Sequence, residues 1–271
     1  MKTLVSYICH YVNEASIARY EVIKNGMIEN YDIIYVIPNA LEEVNVEELL
    51  GDIEYRYYEI DKNHECFNMK NNYHYNNNLT YCKVYEEFGE QYDNFYFIEH
   101  DCLFKDNVSS RWTSLFNSYE REGIDLLCCH FEDYDAEYQG GLYSIDHMIA
   151  MNTTKSGKVM NDGMIMVDNQ LMVSDIKFAF MPLCKISKAL MAKVHEYYSA
   201  LPEICPFFEY VIPTLAVKND MSVVDFETEY TQYIAPEIDN VHWDINGGSM
   251  SWYLEDKSKY DDNVLIHPLE C

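Results

Sequence analysis

Short hydrophobic runs and amphipathic stretches alternate along the first half of the chain. Runs rich in β-branched and aromatic residues, bounded by turn-forming residues, predict strands at residues 4–9, 32–37, 54–60, 94–98 and 125–131. Between them, apolar residues that recur every three or four positions predict helices at residues 16–27, 78–88 and 108–119. Strands that alternate with helices are typical of βαβ units. We therefore predict an α/β fold whose central sheet is mostly parallel and sandwiched by helices.

The second half of the chain is less regular. Residues 132–170 are polar, contain glycine and include a cluster of methionines. Beyond them we predict a strand at residues 177–185, a helix at 187–200 capped by Ser187, a buried helix at 207–217 and a short strand at 222–226. No linker rich in Gly, Pro or Ser separates the two parts. We therefore treat residues 1–131 and 132–271 as two halves of one domain.

Composition limits the classes of partner. The length of 271 residues is about the upper limit for one continuous hydrophobic core. The 48% apolar content, with 25 Tyr and 12 Phe, excludes a disordered chain. The formal net charge of −27 argues against nucleic acid and against an anionic membrane surface, because both require basic patches. A phosphate-bearing ligand would need a local basic group or a metal cation.

The cysteines and the apolar runs indicate a compartment. Nine cysteines occur without any CxxC pair, and most stand inside apolar runs, so we interpret them as reduced, small hydrophobic residues. The first apolar run is too short for a signal peptide, and none approaches the length of about 18 residues that a membrane span needs. We therefore expect a cytoplasmic protein without a transmembrane segment.

Two carboxylates follow the fourth predicted strand. Glu99 and Asp101 stand at its carboxyl end, where ligands bind in open α/β sheets. Residues two apart on a strand point to the same side, so the two carboxylates can converge on one point. Converging carboxylates favour a bound cation, and oxygen ligands suit Mg²⁺ or Mn²⁺. The alternative is that Asp101 caps a loop while Glu99 and His100 are solvated.

The segment YFIEHDCLF at residues 96–104 resembles the aromatic strand and DxD-type motif of glycosyltransferases with the GT-A fold. Further stretches are similar to that family: residues 4–11 and 31–39 to its first βαβ unit, residues 178–187 to its acceptor side, Glu209 ahead of Ile212-Pro213-Thr214, and the terminal LIHP at 265–268. The resemblance implies a GT-A-like fold, with a nucleotide-sugar-binding half at residues 1–131 and a mixed acceptor-side half at 132–271. The motif departs from the family pattern because position 99 is Glu and His100 fills the middle.

The resemblance also implies a metal and two substrates. Mn²⁺, or alternatively Mg²⁺, would be held by Asp101, Glu99 and the C-terminal His267, and mixed oxygen and nitrogen ligation favours Mn²⁺. The donor would be a UDP- or GDP-sugar, and the acceptor a glycan or another hydroxyl compound. The cation would neutralise the diphosphate and stabilise the leaving group. His267 could equally be a terminal residue that packs beside Pro268.

The resemblance places the nucleotide near the first βα connection, which lacks the glycine patterns of Rossmann and P-loop sites. Glu99 could bind the ribose instead of the metal. The other candidate nucleotide contacts are Tyr7, His10, Asn13, Asp61 and Lys70. Arg19 is another scarce cation that could meet phosphate. Each of these residues could also be an ordinary loop or helix residue.

Glu209 is the candidate catalytic base for an inverting transfer, because it stands at a predicted helix start where the helix dipole stabilises a carboxylate. Its alternative role is only to stabilise that helix.

Two other functions of the protein stay open. A glycoside hydrolase would also use two carboxylates, without a metal. A non-catalytic module would bind a sugar nucleotide or glycan without turnover, as the imperfect acidic motif suggests.

Overall fold

The computed structural model describes residues 1–10, 12–38, 45–59, 77–104, 108–120, 123–133, 165–167, 170–172, 176–200, 208–225 and 265–266. The strands are β1 Thr3–Ile8, β2 Tyr31–Pro38, β3 Tyr55–Tyr58, β4 Asn94–Glu99, β5 Leu103–Phe104, β6 Leu126–Asp133, β7 Ile165–Val167, β8 Gln170–Met172, β9 Lys177–Ser187, β10 Val223–Asp225 and β11 Leu265–Ile266. The helices are α1 Glu14–Lys24, α2 Val46–Leu50, α3 Asn77–Phe88, α4 Ser109–Tyr119, α5 Lys188–Ala200 and α6 Phe208–Lys218.

Seven of the described strands form the central sheet, in the order β10-β6-β9-β4-β1-β2-β3. All neighbouring pairs are parallel except those of β9, which runs antiparallel to both β4 and β6. Two short antiparallel pairs, β5 with β11 and β7 with β8, lie outside this sheet. The prediction of an α/β fold with a mostly parallel central sheet between helices is therefore confirmed.

Strand alternation distributes the core over two faces of the sheet. On one face, Tyr96 of β4 packs edge-on against Phe116 of α4 at 5.2 Å between ring centroids, and Tyr7 of β1 packs against Tyr20 of α1 at 5.9 Å. On the other face, Phe97 of β4 stacks on Tyr81 of α3 at 3.8 Å. Aromatic side chains thus cover both faces, which explains the high Tyr and Phe content.

Both halves of the chain contribute to the same sheet. β9 from the second half lies between β4 and β6, and Phe97 is the register partner of Cys184. The hydroxyl of Ser187 accepts the N–H of Leu190 at 3.2 Å, as expected for a residue that caps α5. The described cysteines, Cys9, Cys82, Cys102, Cys128, Cys129 and Cys184, are buried and form no disulfide with one another. No described helix has the length and apolarity needed to cross a membrane.

Candidate functional site

The carboxyl ends of β1 and β4 lie side by side at the point where the strand order reverses. From β1 the chain proceeds outward through β2 and β3, whereas β4 pairs with the opposite edge of β1. Ile8, the last residue of β1, is the register partner of Glu99, the last residue of β4. In open α/β sheets the crevice outside such a switch point is where ligands bind. The acidic motif therefore occupies the expected place for a ligand site.

Residues 99–102 form a turn, which we call the acidic turn. The N–H of Cys102 donates to the carbonyl of Glu99 at 2.9 Å, and the N–H of His100 donates to the carbonyl of Ile8 at 2.9 Å. Because the chain turns after Glu99, strand alternation does not continue to Asp101. The two carboxylates are thus provided by a strand end and a turn, and Asp101 is 8% exposed.

The carboxylate of Glu99 is held from α3. Its Oε1 accepts a hydrogen bond from Nδ2 of Asn77 at 2.5 Å, and Asn77 is fully buried. Glu99 is two residues beyond Phe97, which stacks on Tyr81 of the same helix. The side chain of Glu99 therefore belongs to the α3 face of the sheet.

The backbone of the acidic turn is held from the opposite face. The carbonyl of His100 accepts from Nη1 of Arg19 at 2.9 Å and from the hydroxyl of Tyr7 at 3.2 Å. The imidazole rings of His10 and His100 meet edge-on at 5.9 Å, and both are buried. The loop that follows β1 and the turn that follows β4 are therefore in contact.

Asn13 lies at the start of α1. Its Oδ1 accepts the N–H of Ser16 at 2.8 Å, and its own N–H donates to the hydroxyl of Ser16 at 3.0 Å, so the two residues form a capping box. This bond gives the side chain of Asn13 a structural role. The side chains of Tyr7 and Asn13 both form hydrogen bonds within the protein. Their predicted contacts with a nucleotide stay predictions.

Glu209 lies in the first turn of α6 and is 5% exposed. Its Oε1 accepts the backbone N–H of Met181 in β9 at 2.9 Å. Burial raises the pKa of the Tyr81 phenol well above its ordinary value, and the Cys184 thiol and the Glu99 and Glu209 carboxylates raise it further. The carboxylates of Glu209 and Glu99 therefore both raise the pKa of one buried phenol, that of Tyr81, which lies between α3 and the sheet.

Three of the predicted site residues, Asp61, Lys70 and His267, lie outside the described residues. Within the described ranges, no three His, Cys, Asp or Glu side chains form a group that could hold a metal ion. Ile266 is the register partner of Leu103, which directly follows the acidic turn, so the two residues of β11 lie beside the candidate site.

Sequence reasoning missed Asn77 as a site residue and assigned Arg19 only as a possible phosphate contact. Residues 71–78 are rich in Asn and suggest a loop, yet Asn77 and Asn78 are buried in α3. Asn77 stands one residue before the predicted helix 78–88 and four residues before Tyr81, in line with the apolar side of that helix. This spacing was the available signal, since buried amides require hydrogen-bond partners.

Comparison with known proteins gives only distant structural similarity. No protein-family model matches the chain, and no curated protein is similar in sequence. A glycosyltransferase involved in the glycosylation of the major capsid of PBCV-1 is 11% identical, with a TM-score of 0.41 over 86% of this chain and 84% of that one.

Two further structures are similar at the same level. Mouse xyloside xylosyltransferase 1 is 11% identical, with a TM-score of 0.42 over 90% of this chain and 91% of that one. A cytidylyltransferase from Leptospira borgpetersenii is 11% identical, with a TM-score of 0.41 over 83% of this chain and 75% of that one. Similarities this low assign neither family nor function, so the function depends on the residues of the acidic turn and their neighbours.

Proposed function

We propose that the protein is a metal-dependent glycosyltransferase with a GT-A-like site, which moves a sugar from a nucleotide-diphosphate donor to a glycan or another hydroxyl acceptor. One observation supports this proposal most strongly: the acidic turn lies at the switch point between β1 and β4, where an α/β sheet binds ligands. The donor is a UDP- or GDP-sugar, and the transfer inverts the anomeric centre.

Charge explains why such a site would use a cation. The chain has a net charge of −27, and a diphosphate adds negative charge at an acidic edge of the sheet. The two carboxylates of the acidic turn suit Mn²⁺ or Mg²⁺ as ligands, because these ions bind through one or two carboxylates together with substrate phosphates. Glu99 and Asp101 would hold the ion, with His267 as a further ligand. The ion would act as a Lewis acid that neutralises the diphosphate.

Glu209 is the proposed general base. Its hydrogen bond from the N–H of Met181 fixes the carboxylate in place, and its burial keeps it away from bulk water. A base held in this way can accept the proton of an acceptor hydroxyl as the new glycosidic bond forms.

His10 is the described residue best placed to meet the nucleotide, since it follows β1 and contacts His100 of the acidic turn. Asp61 and Lys70 complete the proposed nucleotide contacts.

Donor turnover with and without a chelator tests the proposal. Release of UDP or GDP from a panel of nucleotide sugars is measured with Mn²⁺, with EDTA, and after Mn²⁺ is restored. We expect turnover that EDTA abolishes and Mn²⁺ restores. Hydrolysis of glycosides that is indifferent to chelation would identify a glycoside hydrolase instead. Nucleotide binding without turnover for any donor would identify a non-catalytic module.

A further inference from the structure

We propose that Tyr7 and Arg19 are positioning residues, which fix the backbone of the acidic turn and thereby set the placement of its two carboxylates. This inference rests on the proposed function and assigns to Tyr7 and Arg19 a role different from direct contact with the nucleotide. The residues belong to β1 and α1, whereas the turn follows β4.

The two side chains meet at one backbone atom. The carbonyl oxygen of His100 accepts from Nη1 of Arg19 at 2.9 Å and from the hydroxyl of Tyr7 at 3.2 Å. The hydroxyl of Tyr7 also lies 3.0 Å from the carbonyl of Ser16 in the first turn of α1, so its single proton is shared between the carbonyls of Ser16 and His100. His100 stands between Glu99 and Asp101 in sequence, so a fixed His100 carbonyl restricts the backbone on both sides of it.

Burial strengthens these bonds. Tyr7 is fully buried and Arg19 is 8% exposed, so little water competes for the His100 carbonyl. The guanidinium is always charged, and a hydrogen bond from a charged donor is about twice as strong as a neutral one.

Such an arrangement prepares a site for metal binding. Carboxylates that are already placed lose less conformational freedom when a cation binds, and outer contacts of this kind commonly change metal affinity by about 10–100-fold. We therefore expect Tyr7 and Arg19 to affect the binding of Mn²⁺ more than the binding of a nucleotide without metal.

Tyr35 provides a matched control for Tyr7. Its ring lies 5.2 Å from that of Tyr7, it is equally buried, and its hydroxyl lies 2.8 Å from the hydroxyl of Ser16. Tyr7→Phe and Tyr35→Phe thus each remove one buried hydroxyl that bonds to Ser16 of α1. Tyr7→Phe also removes the hydroxyl that bonds to the His100 carbonyl of the acidic turn.

The experiment combines two measurements on the full chain. Hydrogen exchange at the amides of His100 and Cys102 reports the stability of the turn, because both amides are bonded within the site. Binding of Mn²⁺ in the presence of UDP or GDP, followed by the paramagnetic resonance of free Mn²⁺, reports metal affinity. Nucleotide binding without metal is measured alongside.

We expect Tyr7→Phe to speed exchange at these amides about fivefold relative to Tyr35→Phe and to raise the Kd for Mn²⁺ about tenfold. Arg19→Met should raise that Kd at least as much. Arg19→Lys should recover part of the loss, because it keeps the charge but not the planar donor geometry. Tyr35→Phe should stay within about twofold of the wild type.

Two results would overturn the inference. One is equal exchange at His100 and Cys102 in Tyr7→Phe and Tyr35→Phe, whether or not the wild type binds metal. The other is a wild type that binds Mn²⁺ together with a Tyr7→Phe variant of unchanged Kd. A wild type that binds Mn²⁺ with neither UDP nor GDP would instead contradict the proposed function. Exchange at His100 and Cys102, measured also in Arg19→Met, would then decide whether Tyr7 and Arg19 fix the turn.

Discussion

Nδ2 of Asn77 donates a hydrogen bond to Oε1 of Glu99 at 2.5 Å, so the first residue of α3 holds the carboxylate that ends β4. The bond joins a fully buried amide to a partly exposed carboxylate. An amide that donates to a carboxylate satisfies one of its oxygens and fixes its orientation. Asn77 therefore supports Glu99 in either of the proposed roles, metal ligand or ribose acceptor.

Removing this amide should weaken the site. Asn77→Ala leaves Glu99 without the donor, and we expect the affinity for Mn²⁺ with UDP or GDP to fall by about tenfold, since outer contacts of metal ligands have effects of that size. Calorimetric titration of the metal into protein with nucleotide measures this change. Asn219→Ala is the control, because Nδ2 of Asn219 donates to the carbonyl of Leu215 at the end of α6, at 2.8 Å. Equal affinities in Asn77→Ala and the control would contradict the role of Asn77.

Glu209 has a structural and a proposed chemical role that two substitutions can separate. Glu209→Gln keeps an oxygen that can accept the N–H of Met181, but an amide cannot act as a base. We expect it to fold normally and to lose about 100-fold or more in transfer rate. Glu209→Ala should also lose about 1–3 kcal/mol of unfolding free energy, because the buried N–H of Met181 loses its acceptor.

Steady-state rates and urea unfolding provide the two measurements for Glu209. Glu196→Gln, on the exposed side of α5, is the control and should change neither. A Glu209→Gln variant that turns over at nearly the wild-type rate would leave Glu209 with its structural role alone.

Lys185 is a buried lysine in β9, on the sheet face that α4 covers. It is 1% exposed, and its Nζ donates to the carbonyl of Tyr119 at the end of α4 at 3.0 Å. Lys185→Ala should cost about 3 kcal/mol, because it leaves a cavity and a buried carbonyl without this donor. Lys185→Met fills the space of the lysine stem and should cost less. Urea unfolding measures both, with the more exposed Lys188→Ala expected to lie within about 0.5 kcal/mol of the wild type. Equal losses for Met and Ala at position 185 would show that packing of the stem is unimportant.

Buried tyrosines should make the protein sensitive to alkaline pH. Burial raises the pKa of Tyr20 and of Tyr31 to about 12, from an ordinary value of 10.0. The folded state therefore binds more protons than the unfolded state between pH 10 and pH 12, and stability falls as the pH rises through that window.

Each of these phenols should contribute a loss of roughly 1.4 kcal/mol per pH unit within the window. Urea unfolding at a series of pH values measures the fall, and phenolate absorbance shows whether the buried tyrosines ionise only on unfolding. Unfolding free energy that stays constant across the window would contradict the burial of these phenols.

The strands were predictable where local pattern decides them. β1 and β4 lie in mainly apolar runs, with Ser6 in the middle of β1, and polar residues follow at His10 and Glu99. The predicted ranges 4–9 and 94–98 differ from the observed strands by one residue at the ends. The position of β9 was not predictable, because pairing Phe97 with Cys184 depends on contacts between distant parts of the chain. β5, β11 and α2 are too short to give a periodic signal.

The residues of the candidate site were likewise predictable only in part. Glu99 and Asp101 could be proposed because they are neighbours in sequence at a strand end. The partners of the acidic turn could not, since Asn77 is 22 residues from Glu99 and Arg19 is 81 residues from His100. Tyr7 illustrates the difference: its position near a strand end suggests a ligand contact, but its hydroxyl meets a carbonyl 93 residues away.

Thermal stabilisation by nucleotide sugars tests the central claim most directly. The wild type, Asp101→Ala and the control Glu90→Ala are heated with UDP- and GDP-sugars, each with and without Mn²⁺. Glu90 is a suitable control because its carboxylate is 97% exposed, close to the start of β4. We predict that at least one donor raises the Tm of the wild type and of Glu90→Ala in the presence of Mn²⁺, and that Asp101→Ala loses this response. A wild type that no donor stabilises, or an Asp101→Ala variant that responds like the wild type, would contradict a metal-diphosphate site at the acidic turn.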